Sequence, residues 1–329
     1  MAGGVRSGRG AGVDLRARVG SVTLPNPVMT ASGTSGHGAE LEAYFPLASL
    51  GAVVVKSLAA LPWPGNPAPR VHETAAGMLN SVGLQGPGVE AWLEEELPAL
   101  VAAGARVVVS IWGRTVEEYR QAAELLASAP ADVVALEVNV SCPNVEDRRR
   151  MFAHSPSATE DVLAATAACR RPRWAKLSPT VTDLVEIADA ARRGGAEAVT
   201  LVNTLMAMAL DPGRRTYRLG AGGGGLSGPA LHPVAVRAVH DVTAALPGLP
   251  VVGVGGVASG EDAAELLVAG ASAVQVGTAT FADPRAPARV LHGLRAWCRR
   301  QGVGRVEEVV GAVHAAPAAP AAADREVPV

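Results

Sequence analysis

Six residues stand where short apolar runs of the sequence end: Ser32, Lys56, Asn139, Lys176, Asn203 and Gly255. Lys56 and Lys176 each close such a run, and an ammonium there is costly unless an anion meets it, so anionic ligands are expected. Ser141-Cys142-Pro143-Asn144 follows another run; a thiol flanked by Asn139 and Asn144 can serve as a base or a nucleophile, and a lone cysteine can equally be inert. Gly253-Val-Gly255-Gly256 and Gly277-Thr278 end two late runs, where backbone amides without a Cβ in the way suit a phosphate.

Other patterns carry less. Gly253-x-Gly255-x-x-Ala258 fits the dinucleotide fingerprint formally, but it comes late in the chain and no acidic residue follows ~20 positions on. The phosphate expected is that of a flavin mononucleotide or a sugar phosphate. The run AGGGG at 221–225 lacks the Gly-Lys-Ser/Thr of a P-loop and reads as a flexible loop, with Gly228 able to approach a ligand. The seven histidines show no paired ligand spacing, so no metal site is expected.

These residues need a frame that gathers strand ends. Apolar β-branched runs at 27–32, 52–57, 106–111, 133–140, 173–178, 198–204, 250–256 and 273–280 read as strands. Segments of helical period near 39–49, 89–103, 116–128, 159–169, 182–193, 232–245, 260–269 and 285–300 follow them in alternation. Eight βα units predict an α/β protein with a (β/α)8 TIM barrel, a doubly wound sheet being the alternative. In a barrel the C-terminal strand ends form one face, and that is where the six polar residues fall. Long connections at 58–88, 141–158 and 205–231 all leave that face. Residues 14–314 form the barrel in this reading, with a Gly/Arg-rich tail at 1–13 and a Pro/Ala-rich tail at 315–329.

Composition narrows the class. The 329 residues are 49% hydrophobic and 18% charged, which excludes a disordered chain. Three cysteines (142, 169 and 298) are too few for a disulfide framework and point to the reducing cytoplasm. A net charge of −2 gives no footprint for nucleic acid or membrane, and the runs Arg148–Arg150 and Arg170–Arg173 read as solvated charge.

Longer motifs carry a family resemblance. Asn26-Pro-Val-Met-Thr-Ala-Ser-Gly33, Val55-Lys-Ser57, Gly65-Asn-Pro-Ala-Pro-Arg-Val71 and Gly77-Met-Leu-Asn-Ser-Val-Gly-Leu-Gln85 resemble class 1 dihydroorotate dehydrogenases. So do Glu137-Val-Asn-Val-Ser-Cys-Pro-Asn144, Ala175-Lys-Leu-Ser-Pro179, Val202-Asn-Thr204, Gly225-Leu-Ser-Gly-Pro229 and Gly253-Val-Gly-Gly256, in consistent order over 14–300 and most similar to the 1B type. The resemblance implies FMN-dependent oxidation of dihydroorotate to orotate in pyrimidine synthesis, with Cys142 as the base. It implies substrate contacts at Lys56, Asn80, Ser81, Val82, Gly83, Leu84, Asn139, Asn203 and Thr204. It implies FMN contacts at Ser32, Lys56, Ser57, Asn139, Lys176, Val202, Gly228, Gly255, Gly256, Gly277 and Thr278. It also implies a separate iron–sulfur/FAD electron-transfer subunit and a homodimeric core.

The chain departs from the family pattern at Gly86, where asparagine is usual, at Ser110, where the 1B type has asparagine, and in the Arg-rich stretch after Cys142. Ser110 in place of asparagine predicts a shorter or water-mediated flavin contact. Two rival readings are a related flavin barrel acting on uracil-type dihydropyrimidines and a non-enzymatic barrel that binds a phosphate ligand.

Overall fold

A computed structural model describes residues 12–141 and 151–315. All eight expected strands form: β1 (Val28–Thr30), β2 (Val53–Val54), β3 (Val107–Ile111), β4 (Val133–Asn139), β5 (Arg173–Lys176), β6 (Ala198–Leu201), β7 (Val251–Val254) and β8 (Ala271–Val276). They pair in parallel in the order β1-β8-β7-β6-β5-β4-β3-β2, and a Met29–Ala52 bridge joins the two ends. Sequential neighbours that return to β1 make a closed ring, so this is a (β/α)8 barrel and not a doubly wound sheet.

Local chemistry sets the helices. The pair α1 (Val89–Glu95) and α2 (Leu97–Ala102) replaces the single helix expected at 89–103, because Pro98 lies in the first turn of α2 and restarts the helix there. Thr115 and Ser155 cap α3 (Val116–Leu125) and α4 (Pro156–Ala165) by accepting from backbone amides. Asp183 does the same for α5 (Leu184–Arg193), and α6 spans His232–Ala245. Ser259 and Asp262 form a reciprocal capping box on α7 (Gly260–Ala269). The short α8 (Ala279–Ala282) and the long α9 (Ala286–Arg300) end the ring. The helix expected at 39–49 does not form. Two 3-10 turns, Glu40–Ala43 and Leu47–Ser49, stand there instead, and Pro46 between them has no N–H with which to continue a helix.

The N-terminal hairpin Ala17–Val19/Val22–Leu24 plugs the lower end of the barrel. Its Val19, Val22 and Leu24 pack with Met29, Ala52, Val54, Val108, Ala135, Trp174, Ala198, Val252 and Ala273 in one dry cluster. Two residues further along four strands the interior becomes polar: Ser110, Glu137, Thr200 and Gln275 are all fully buried. Period-2 alternation puts each of these on the same inward face as the apolar residue below it.

At the upper end two of the long connections meet. Segments Leu205–Met208, Gly223–Ser227, Gly77–Asn80 and Val71–Thr74 form a four-stranded antiparallel sheet across the mouth. The glycine run is therefore strand and not flexible loop. Its partners come so close that a Cβ at Gly224 would stand 2.5 Å from the Asn80 carbonyl, and one at Gly225 would stand 2.0 Å from Thr204 Oγ1. Most of the tails expected at 1–13 and 315–329 lies outside the described residues, though Asp14 bridges to Arg305 and Ala315 ends a short helix.

Trp174 is fully buried at the centre of the plug. Trp174→Ala is expected to cost ~3–5 kcal/mol in a denaturant titration. Trp174→Phe should cost clearly less, because its Nε1 has no hydrogen-bond partner among the described residues to lose.

Candidate active site

Between the barrel mouth and the sheet above it lies a cavity of about 630 Å³. That is within the usual range of small-molecule sites, ~300–1,000 Å³. Its floor and walls come from strand ends. Ser32 follows β1, Lys56 and Ser57 follow β2, Asn139 and Lys176 end β4 and β5, and Val202, Asn203 and Thr204 follow β6. Gly255 and Gly256 follow β7, Gly277 and Thr278 follow β8, and the loop Asn80, Ser81, Val82, Gly83 and Leu84 hangs from the roof. Seventeen of the nineteen residues expected from the sequence thus line one cavity.

The two others differ. Gly228 is not among the lining residues, though its neighbour Ser227 is; a Cβ at Gly228 would stand 2.7 Å from the Gly77 Cα, so the glycine lets the two roof segments approach. Cys142, with Pro143, Asn144 and Arg148–Arg150, lies outside the described residues.

Hydrogen bonds tie five strand ends together. Asn139 Oδ1 accepts from Asn203 Nδ2 at 3.2 Å and from the Ser141 amide at 3.1 Å, and Asn139 Nδ2 donates to Ser57 Oγ at 3.4 Å. The Ser57 hydroxyl also meets Ser32 Oγ at 3.2 Å and Ser110 Oγ at 2.9 Å. Ser110, where a shorter or water-mediated flavin contact is expected, is fully buried and hydrogen-bonded to Ser57, and it is not among the residues that line the cavity. On the far side Thr278 Oγ1 donates to Ser227 Oγ at 2.7 Å, joining the β8 end to the roof.

Among the described residues the charged pieces include the Lys56 and Lys176 ammoniums, the Arg114 guanidinium and, behind the wall, the buried Glu137 carboxylate. Lys176 is 6% exposed, and its Nζ stands 3.6 Å from Oε1 of the fully buried Glu137. The other Glu137 oxygen accepts from Gln275 Nε2 at 2.7 Å and from Thr200 Oγ1 at 3.1 Å. Sequence reasoning did not single out Glu137, Thr200 or Gln275; the available signal was a polar residue at an inward position of an otherwise apolar strand. Trp63, Trp112 and Arg114 were missed as well: the two indoles meet edge to face at 5.8 Å, and the Arg114 guanidinium lies over Trp63.

The glycines after β7 and β8 form a close-packed part of the wall. A Cβ at Gly256 would stand 2.6 Å from the His232 Cβ and 2.9 Å from the Gly228 carbonyl, and one at Gly277 would stand 3.3 Å from the Ala31 Cβ. Gly256 also takes φ +69°, which other residues rarely adopt. His232 braces this turn, its Nδ1 2.8 Å from the Gly255 carbonyl and its Nε2 3.1 Å from Glu265.

Such a barrel, with cationic and amide-bearing strand ends under a glycine-rich roof, is a site for an anionic, planar ligand. A family model for dihydroorotate dehydrogenase matches residues 14–297. The chain is 45% identical to the "Dihydroorotate dehydrogenase B (NAD(+)), catalytic subunit" of Alkaliphilus metalliredigens over 302 residues, covering 92% of this chain and 99% of that one. Proteins of the same description from Alkaliphilus oremlandii and Geobacter sulfurreducens are 46% and 44% identical, each over 91% of this chain and 98% of its own length. The chain belongs to the dihydroorotate dehydrogenase family, an oxidoreductase family acting on CH–CH bonds and dependent on a flavin.

One departure from the family pattern has a physical reading. Gly86 does not line the cavity, and a Cβ there would stand 3.2 Å from Nε2 of His37, a half-buried imidazole. Burial, and secondarily the Lys56 charge, hold the His37 pKa below its ordinary value of 6.5, against a smaller opposing pull from Glu40. The neutral form is thus favoured by folding, and this contribution to stability is present above 6.5 and lost as the pH falls below it. Stability is expected to decline as the pH falls below 6.5, and His37→Phe should make that slope shallower in denaturant midpoints.

Proposed function

We propose that this chain oxidises dihydroorotate to orotate for pyrimidine synthesis, using FMN held in the cavity at the barrel mouth. The observation that carries the reading is the meeting of two lysines, four asparagines and the β7 and β8 glycine turns around one space. The donor set fits FMN. Glycine turns that a Cβ would fill suit a phosphate on the amides of Gly256, Gly277 and Thr278, and a helix start at α8 follows immediately. Ser32, Ser57 and Asn139 offer polar edges, Lys176 a cation, and Val202 and Gly255 flat surface. Hydride acceptance is the chemistry that FMN supplies when bound.

The protein's own residues do the rest. Lys56 meets the substrate carboxylate and Asn80, Asn139, Asn203 and Thr204 hold the pyrimidine ring, since an amide both donates and accepts. Ser81, Val82, Gly83 and Leu84 close over it from the roof. Cys142 takes the proton from C5 while the hydride leaves C6, so that two C–H bonds break, one C–C double bond forms, and one proton and one hydride depart. A thiol with a pKa near ~8.5 requires local activation to act near neutral pH.

The description "catalytic subunit" borne by the relatives supports a separate electron-transfer polypeptide, with iron–sulfur and FAD groups, that passes electrons on to NAD. A homodimeric core working in the cytoplasm completes the reading. No helix among the described residues is long and apolar enough to cross a membrane.

Titration of the yellow protein with orotate and with uracil tests the substrate class. Orotate is expected to perturb the flavin spectrum at far lower concentration. Loss of one partner of a buried charge pair costs ~3–5 kcal/mol. Lys56→Met should therefore weaken orotate two to three decades, at ~1.4 kcal/mol per tenfold, and leave uracil nearly unchanged. Equal losses for both ligands would favour the uracil-type reading, and a colourless protein that takes up no flavin would favour a non-enzymatic barrel.

Cys142→Ala should bind orotate normally but reduce flavin ~10²–10⁴-fold more slowly in stopped flow, while Cys142→Ser should keep some activity that rises with pH. Reduction by the alanine variant at the unmutated rate would remove Cys142 from the reaction.

A further inference from the structure

Within the barrel, Glu137, Thr200 and Gln275 of the polar layer between the hairpin plug and the cavity have no part in the reading above except through Lys176. Barrel interiors at this depth are ordinarily packed with branched apolar side chains. Here the layer carries a carboxylate, Glu137, with no exposed surface. Replacing a buried ion pair by apolar side chains of similar volume is often neutral or stabilising, so stability alone is a weak reason for the pair.

The geometry gives a different reason. Glu137 Oε2 is fixed by two neutral donors from other strands, Gln275 Nε2 at 2.7 Å and Thr200 Oγ1 at 3.1 Å. Oε1 has no hydrogen-bond partner among the described residues and faces only the Lys176 ammonium. At 3.6 Å that contact is an ion pair beyond hydrogen-bond reach. One oxygen is tied down and the other stops short of the ammonium. Gln275 and Thr200 thus hold the carboxylate back, and Lys176, a residue of the cavity lining, is not drawn into hydrogen-bond contact with it.

We propose that Glu137 is a positioning residue that acts through Lys176: it holds the ammonium beneath the flavin and offsets part of its charge, and so sets how much more tightly the site binds reduced than oxidised flavin. The inference rests on the FMN reading. Charge attenuation is strong at this depth because little water screens it. A full, unopposed ammonium would favour the more negative reduced flavin. An ammonium drawn down to Glu137 would favour it less.

The test is the flavin midpoint potential of the FMN-loaded protein, measured by spectroelectrochemistry at pH 6. E137Q is expected to raise the preference for reduced flavin about tenfold, a positive shift of ~30 mV for a two-electron couple. In a Lys176→Met background the same substitution should shift the potential by less than half as much, because the effect passes through the lysine. Gln275→Leu, which frees Oε2 without changing any charge, should shift the potential the opposite way, since the released carboxylate can close on the ammonium.

An unchanged potential in E137Q would overturn the inference, as would equal shifts with and without Lys176. If E137Q does not fold, the sign of the Gln275→Leu shift decides: a negative shift supports the inference, and no shift or a positive one overturns it. Failure of the parent protein to bind FMN or orotate would instead overturn the flavin reading itself, which separates the two.

Discussion

One carboxylate and one ammonium, Glu137 and Lys176, are buried in the throat of the barrel, and much of the surrounding architecture answers to them. A charge at that depth must be met by donors or by an opposite charge, since the desolvation cost is otherwise several kcal/mol. The donors come from β6 and β8 and the opposite charge from β5, so four strands carry polar residues at one level. Below that level the interior is dry and apolar, closed by Trp174 and the N-terminal hairpin. Above it the asparagine and serine network begins. The barrel is therefore layered along its axis: apolar plug, charged throat, polar mouth.

The layering also organises the cavity electrostatically. Lys56 follows β2 and Lys176 ends β5, so two cations reach the cavity from different strands. The Lys176 ammonium stands 3.6 Å from the Glu137 carboxylate in the throat.

Much of this architecture was legible in the sequence. Strands β1 to β8 are near-continuous apolar runs, which a parallel sheet covered on both faces requires, and the polar residues that end them mark the mouth. What stayed hidden has identifiable causes. Glu137 and Gln275 look like single interruptions of apolar runs, because their partners lie on strands distant in the sequence. The stretch at 39–49 has helical periodicity, but Pro46 breaks it. The run at 221–225 has the composition of a linker, and only its pairing with Gly77–Asn80, far away along the chain, makes it a strand. Ser110 bonds to Ser57 and Gly228 packs against Gly77, contacts between segments far apart in the sequence that local reading does not reveal.

That roof pairing also bears on the order in which the molecule can be built. Asn80 and Gly225 touch across 145 residues of chain, and four of the eight barrel strands lie between them. Contacts of such long sequence separation are among the last to become favourable, since the loop they close must first be compacted. A chain emerging from the ribosome can assemble its early βα units, but it has no enclosed cavity until residue 227 is made and the ring is nearly closed. Ligand uptake is thereby a late event in maturation, and retention of the ligand reports that the whole barrel has been completed.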